Sequence, residues 1–125
     1  MYTDTKDYPL SIIKEMFDDG DIIPQPDYQR DYIMDEKKAS KLIESVLLQI
    51  PIPTVYLCEE SDGTLSIIDG QQRLTSFVKF LKNEFALKNL EEYTDFNGKR
   101  FADLDKAVQR TIKTVSYTHL TLPTT

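Results

Sequence analysis

The chain reads as an α+β protein, and three observations carry that reading. Apolar residues recur at helical spacing in four separate stretches, 10–19, 35–49, 71–81 and 103–113. Two short alternating runs, 54–58 and 64–68, flank an Asp62-Gly63 turn and predict a β-hairpin. No repeat, low-complexity stretch or internal linker divides these elements.

The first helix is expected from Leu10, Ile12, Ile13, Met16 and Phe17, which share one face, with Gly20 closing it. Ile22-Ile23 predicts a brief extended piece. Pro24-Gln25-Pro26-Asp27 then forces a polyproline-like loop, because each proline locks its own φ and restricts the residue before it. Asp35 is a suitable N-cap for the second helix. Ala39, Leu42, Ile43, Val46, Leu47 and Ile50 form its apolar stripe, and Lys37, Lys38, Lys41 and Glu44 fall outside it. Pro51-Ile52-Pro53 ends the helix before the first strand of the hairpin. Asp69-Gly70 ends the second strand. From Gln71 the period switches, with Leu74, Phe77, Val78 and Leu81 on one helical face. Asn97-Gly98 predicts a second hairpin between 93–96 and 99–101. A last helix is expected over 103–113 with Leu104, Ala107, Val108 and Ile112 inward.

The length of 125 residues is that of about one domain. With 40% hydrophobic and 29% charged residues the composition is that of a globular chain and not of a disordered one. No apolar run is long enough to span a bilayer, and the first residues lack the basic and apolar regions of a secretory signal. The single cysteine, Cys58, fits a reducing cytoplasm, and the single histidine, His119, argues against a His-rich zinc site or a Ser-His-Asp triad. Residues 1–69 carry a net charge of −9 and residues 70–125 a net of +3. The acidic total argues against stand-alone non-specific DNA binding, which rests on phosphate neutralisation. It leaves room for a local anion site in the basic half.

Residues 116–125 break the pattern: they carry no charge and no helical period. They read as a non-native tail resembling translated adapter sequence, set apart from a domain over 1–115, with the natural protein continuing past about residue 115. The alternative is a natural terminus, disordered or strand-forming. On the first reading His119 has no functional weight.

Ile67-Ile68-Asp69-Gly70-Gln71-Gln72-Arg73-Leu74 is the most informative segment. A strand passes through a glycine into a helix, whose first N–H groups lack intrahelical acceptors and carry the positive end of the helix dipole. Gly70 permits close approach of a ligand to the backbone. An Asp69-x-x-Gln72 capping box would account for Asp69, Gly70 and Gln72 without any ligand. It does not account for Arg73, whose charge opposes the dipole; the two readings are an anion shared with the N–H groups and a guanidinium solvated at the surface. The loop Pro26-Asp27-Tyr28-Gln29-Arg30-Asp31-Tyr32 offers a guanidinium matched to phosphate oxygens and tyrosines able either to stack on a base or to be buried. Neither a Walker A sequence nor a GxGxxG fingerprint is present. Lys37, Lys38 and Lys41 read as a solvated helix face able to touch a polyanion. Cys58 reads as structural, and Glu59-Glu60-Ser61-Asp62 as a solvated hairpin tip.

Taken together, Tyr28-Gln29-Arg30, Ile43-Glu44-Ser45, Pro51-Ile52-Pro53 and Ile68-Asp69-Gly70-Gln71-Gln72-Arg73-Leu74-Thr75 resemble, in this order and over about residues 8–115, the N-terminal domain of GmrSD-type restriction endonucleases. That family resembles the ParB/sulfiredoxin fold: a small mixed sheet with packed helices, whose strand-turn-helix cradles phosphates. The resemblance implies nucleotide binding and Mg²⁺-dependent hydrolysis of a nucleoside triphosphate in a cytoplasmic bacterial phage-defence protein. DNA would be met through the full-length protein and cut by a separate C-terminal nuclease domain or partner subunit; a homo-oligomer is compatible with this reading. Gln71 stands where sulfiredoxins carry a catalytic cysteine, which argues against redox chemistry, and Gln71-Gln72 departs from the Glu-Arg pair of ParB proteins. The roles implied are phosphate binding by Arg30, Gly70 and Arg73, pocket shaping by Tyr28 and Gln29, Mg²⁺ at Asp69, and water orientation by Gln71 or Gln72. The competing expectations are a non-catalytic recognition module for nucleotide or modified DNA that signals to a partner domain, and a fragment inactive in isolation.

Overall fold

Chain order is β1 (Asp4–Pro9), α1 (Leu10–Asp18), β2 (Ile22–Ile23), α2 (Glu36–Leu47), β3 (Val55–Glu59), β4 (Leu65–Asp69), α3 (Gln71–Leu81), α4 (Lys106–Thr114) and β5 (Ser116–Leu122), in a computed structural model that describes residues 4–25 and 34–122. Two 3₁₀ turns, Thr94–Phe96 and Phe101–Asp103, lie between α3 and α4. The strands form one mixed sheet in the order β1-β5-β3-β4-β2. The expected hairpin is there: β3 and β4 pair antiparallel, with Leu57 opposite Ile67 and a register shift between Tyr56 and Leu57. β2 runs parallel to β4, and β5 runs parallel to β3 and antiparallel to β1.

Strand alternation decides which face is buried. Val55, Leu57 and Ile67 point into one core cluster with Leu10 and Ile13 of α1, Ile43 and Val46 of α2, Leu74, Phe77 and Phe80 of α3, and Ile112 of α4. Each such side chain contributes about 1.5–3 kcal/mol on burial. Tyr56 and Ile68 alternate to the opposite side and remain exposed. α1 ends in a Schellman motif: Gly20 sits at φ +80°, its N–H donates to Phe17 O, and Asp21 N donates to Met16 O at 2.8 Å. The same pattern closes α2 at Gln49 and α3 at Asn83, both with positive φ. Asp35 caps α2 as its sequence position predicts, accepting from Lys37 N and Lys38 N.

Three expectations are corrected. First, Ser116–Leu122 does not lie outside the fold: it is strand β5, between β1 and β3, with Tyr117 and His119 buried. Its buried Tyr117 and His119 alternate with the less buried Thr118 and Leu120, as side chains of a strand do. Residues 123–125 lie outside the described residues. Second, Asn97-Gly98 builds no hairpin. Asn97 has φ −58° and ψ 133° and Gly98 has φ +84°, with Lys99 N donating to Phe96 O at 3.0 Å. That is a type II turn, whose twist does not match paired strands. Asn97 instead spends its side chain on Leu90, accepting from Leu90 N and donating to Leu90 O. Third, the last helix starts at Lys106, because Phe101–Asp103 is a 3₁₀ turn and Leu104 is extended with its side chain buried. Ala107 faces solvent.

Glu44, which sits outside the apolar stripe of α2, is only 1% exposed. Its carboxylate accepts from Glu92 N at 2.9 Å, Tyr93 N at 3.0 Å and Glu91 N at 3.5 Å. One turn earlier on α2, the buried Ser40 Oγ accepts from Lys88 N at 3.1 Å. The two side chains pin the long α3–α4 connection to α2, so its backbone donors are satisfied without a strand partner. Burial by itself pushes the Glu44 carboxyl up, but the backbone donors of Tyr93, Glu92 and Glu91, aided by Lys41, outweigh it and hold it below its ordinary value of 4.5. A depressed carboxyl stabilises the fold fully above that ordinary value and loses this contribution as pH falls through the folded value. Glu44→Gln, which replaces one accepting oxygen with an amide donor facing N–H groups, is expected to cost about 2 kcal/mol in urea unfolding at pH 7. The gap between wild type and variant is expected to shrink as pH drops below 4.5; a pH-independent gap would contradict the account.

Candidate functional site at the start of helix α3

The end of β4 and the start of α3 meet at Gly70, whose φ of +96° is open to glycine and strained for other residues. A Cβ there would stand 2.9 Å from Val55 Cγ2 and 3.1 Å from Arg73 Nη2. The absent side chain thus lets the turn close against β3 and lets the Arg73 guanidinium lie on the Gly70 backbone. Gly70 itself is the N-cap of α3, and no side chain caps the helix. The capping box of Asp69 and Gln72 is not formed. The first intrahelical bond runs from Leu74 N to Gly70 O at 3.0 Å, so the N–H groups of Gln71, Gln72 and Arg73 precede it. They open on a depression of about 360 Å³ lined by residues 68–73.

Around this mouth the side chains divide into held and free. Arg73 reaches back across the sheet: Nε donates to Tyr117 Oη at 3.4 Å and Nη2 donates to the Thr54 carbonyl at 3.3 Å. Both bonds are long and use a minority of the five guanidinium N–H groups. The arginine that capping logic leaves unexplained therefore has protein acceptors and also spare donors beside the mouth. Burial pushes the Tyr117 phenol above its ordinary value; Arg73 opposes this and the Asp69 charge adds to it. Tyr117 thus keeps its proton at neutral pH. Gln71 Oε1 accepts from Gln25 N at 2.8 Å, which ties the chain after β2 to the first turn of α3. Asp69 and Gln72 are exposed at the rim. Asp69, Gly70, Gln71, Gln72 and Arg73 are thus brought together. Tyr28, Gln29 and Arg30 lie outside the described residues.

Tyr117 and Thr54, the two anchors of Arg73, are not among the residues singled out from sequence. No sequence signal marks Tyr117, because the apolar residues of its segment, Tyr117, Leu120 and Leu122, do not keep one period-2 phase. Thr54 contributes a carbonyl, which side-chain identity does not reveal. Cys58 is partly buried in β3 and donates to Glu59 O at 3.8 Å, a packing role. Among the described residues no group of three or more His, Cys, Asp or Glu side chains is placed to hold a metal ion.

Gly70→Ala is expected to destabilise the chain by about 2–4 kcal/mol, combining left-handed strain with overlap on Val55. Val55→Ala should recover part of that loss in a double-mutant cycle, since it removes the struck methyl; strict additivity in urea unfolding would refute the contact.

No helix among the described residues is long and apolar enough to cross a membrane. No curated protein and no solved structure matches the chain. The family model of the GmrSD restriction endonuclease N-terminal domain matches residues 13–122, from within α1 to the last residue of β5. With the match spanning nearly the whole sheet and all of the α3 mouth, the chain belongs to the GmrSD restriction endonuclease N-terminal domain family.

Proposed function

We propose that this restriction-endonuclease module binds a nucleoside triphosphate at the start of α3 and hydrolyses it, as the regulatory part of a cytoplasmic phage-defence protein. The observation that carries the reading is the helix start opened by Gly70: uncapped N–H groups, no side-chain cap, and a guanidinium lying on the glycine. Such a start is complementary to phosphate oxygens, through both the free donors and the dipole. The strand-turn-helix arrangement also supports kinship with the ParB/sulfiredoxin fold.

Phosphoryl transfer to water depends on positioning and charge neutralisation more than on covalent chemistry. The N–H groups of residues 71–73 and the spare donors of Arg73 hold phosphate oxygens, and Arg30 adds a second guanidinium from the preceding loop. Gln72, exposed at the rim, is free to orient water; Gln71 offers its amide NH₂ while its oxygen holds Gln25. Asp69 supplies one exposed carboxylate at the mouth. That donor set fits Mg²⁺ in its usual mode with nucleotides, one carboxylate with phosphate oxygens and waters. When bound, the ion would neutralise phosphate charge. DNA contact and cleavage belong to the full-length protein and to a nuclease domain or partner subunit, with assembly as a homo-oligomer compatible with the site.

A specific observation favours a second reading. Arg73 bonds inward to Thr54 and Tyr117, and the Gln71 oxygen is engaged. A module that binds nucleotide and signals without turnover needs no more than this. Nucleotide binding and phosphate release by wild type, Arg73→Ala and Asp69→Ala separate the two. The hydrolytic reading expects release that falls at least about tenfold in both variants, about 1.4 kcal/mol of transition-state stabilisation. Binding of a non-hydrolysable triphosphate with no release by wild type supports the signalling module. Full turnover in both folded variants refutes the assigned roles.

A further inference from the structure

A second depression, of about 310 Å³, lies between α2 and α3 and shares Gln72 and Arg73 with the mouth. Lys38 and Lys41 line it from α2, facing Arg73, Gln72 and Ser76 of α3. Its cations stand out in a chain of net charge −6. Among the described residues no carboxylate pairs with the Lys38 ammonium. Lys41 has only long contacts, 3.8 Å to Glu44 and 3.8 Å to Glu91, and its side chain is 58% exposed, so it can swing. The one acid on the lining, Asp35, accepts from Lys37 N and Lys38 N as the cap of α2, so the lining sets Lys38, Lys41 and Arg73 against a single carboxylate. Ser76 turns its hydroxyl proton to Gln72 O at 2.7 Å.

The charge balance of the mouth makes this groove consequential. Arg73 shares its charge with Thr54 and Tyr117, and Asp69 adds a negative charge at the rim. A terminal phosphate carries about −2 at pH 7, more than the mouth neutralises. Lys38 and Lys41 share a depression with Arg73.

We propose that the α2–α3 groove is the terminal-phosphate subsite of the nucleotide site, with Lys38 and Lys41 selecting triphosphates over monophosphates. The proposal rests on the nucleotide reading of the mouth. In it the α3 N-terminus holds the phosphate nearest the sugar, Arg73 bridges the two depressions, and the lysines take the distal phosphate as point charges. The same groove gives a role to Lys38 and Lys41, which stand in the first turns of α2 where a cation opposes the helix dipole.

The test uses the 125-residue chain and isothermal titration with each of the four ribonucleoside triphosphates and the matching monophosphates. Lys38→Gln and the Lys38→Gln/Lys41→Gln pair are compared with wild type, with thermal unfolding as the check on folding. Lys38 holds no described side-chain partner, so Lys38→Gln alone keeps the test valid if the pair perturbs Glu44. The expected result is a loss of at least about fivefold in triphosphate affinity for the single variant and at least about thirtyfold for the pair, with monophosphate affinity within about twofold of wild type. Lys38→Arg should retain most of the affinity. Equal losses for both ligand classes, or unchanged triphosphate affinity, overturn the subsite while leaving the mouth intact. Absence of any nucleotide binding by wild type overturns the nucleotide reading itself and the subsite with it.

Discussion

The close approach of Gly70 to Val55 governs the arrangement around it. At this point β4 stops, the backbone passes through a left-handed residue, and α3 starts. A left-handed residue without a side chain is what permits all three within one peptide. The contact also determines what α3 presents. The turn closes directly on β3, and the residues of the first turn line the depression at the end of β4. The guanidinium one turn on falls back over the glycine to the Thr54 carbonyl and the Tyr117 phenol. Leu74, Phe77 and Phe80, further along the same helix, are buried to 1% or less exposure and fix its axis against the core. Position and chemistry of the mouth are therefore two consequences of one backbone constraint.

A second constraint operates away from the mouth and stabilises the half of the chain with least regular structure. From the end of α3 to the start of α4 only two 3₁₀ turns are formed, so backbone donors there need partners from elsewhere. Glu44 and Ser40 of α2 supply them. A buried carboxylate receiving several N–H groups is costly to desolvate, and it is worth that cost only when the donors converge. Here they do, which is why the carboxyl is depressed despite burial. The same helix carries Lys38 and Lys41 on the wall of the groove, and Lys41 also stands 3.8 Å from Glu44 and from Glu91.

The family match spans most of the chain, and the candidate mouth lies inside it. The family match covers residues 13–122, and the Asp69 to Arg73 string falls where strand, left-handed glycine and helix start coincide. The inward bonds of Arg73 give the string a structural duty as well. The two bonds tie α3 to the residue before β3 and to β5.

The sequence by itself determined the elements whose signals are local: the period of the helices, the β3–β4 alternation, the Asp35 cap, the Gly20 stop and the switch from strand to helix at Gly70. It also determined which residues crowd the mouth, since residues 69–73 are neighbours in the chain. Tertiary structure alone decided what depends on distant partners. Glu44 reads as a solvated helix residue until residues 91–93 fold over it. Asn97-Gly98 reads as a hairpin until Leu90 claims the asparagine and a type II turn results. Uncharged Ser116–Leu122 reads as an appendage until β1 and β3 flank it, because ladder bonds are backbone bonds that composition does not announce. Arg73 reads as unpartnered for the same reason: its acceptors, a carbonyl nineteen residues earlier and a phenol forty-four residues later, are brought beside it only by the order of strands in the sheet.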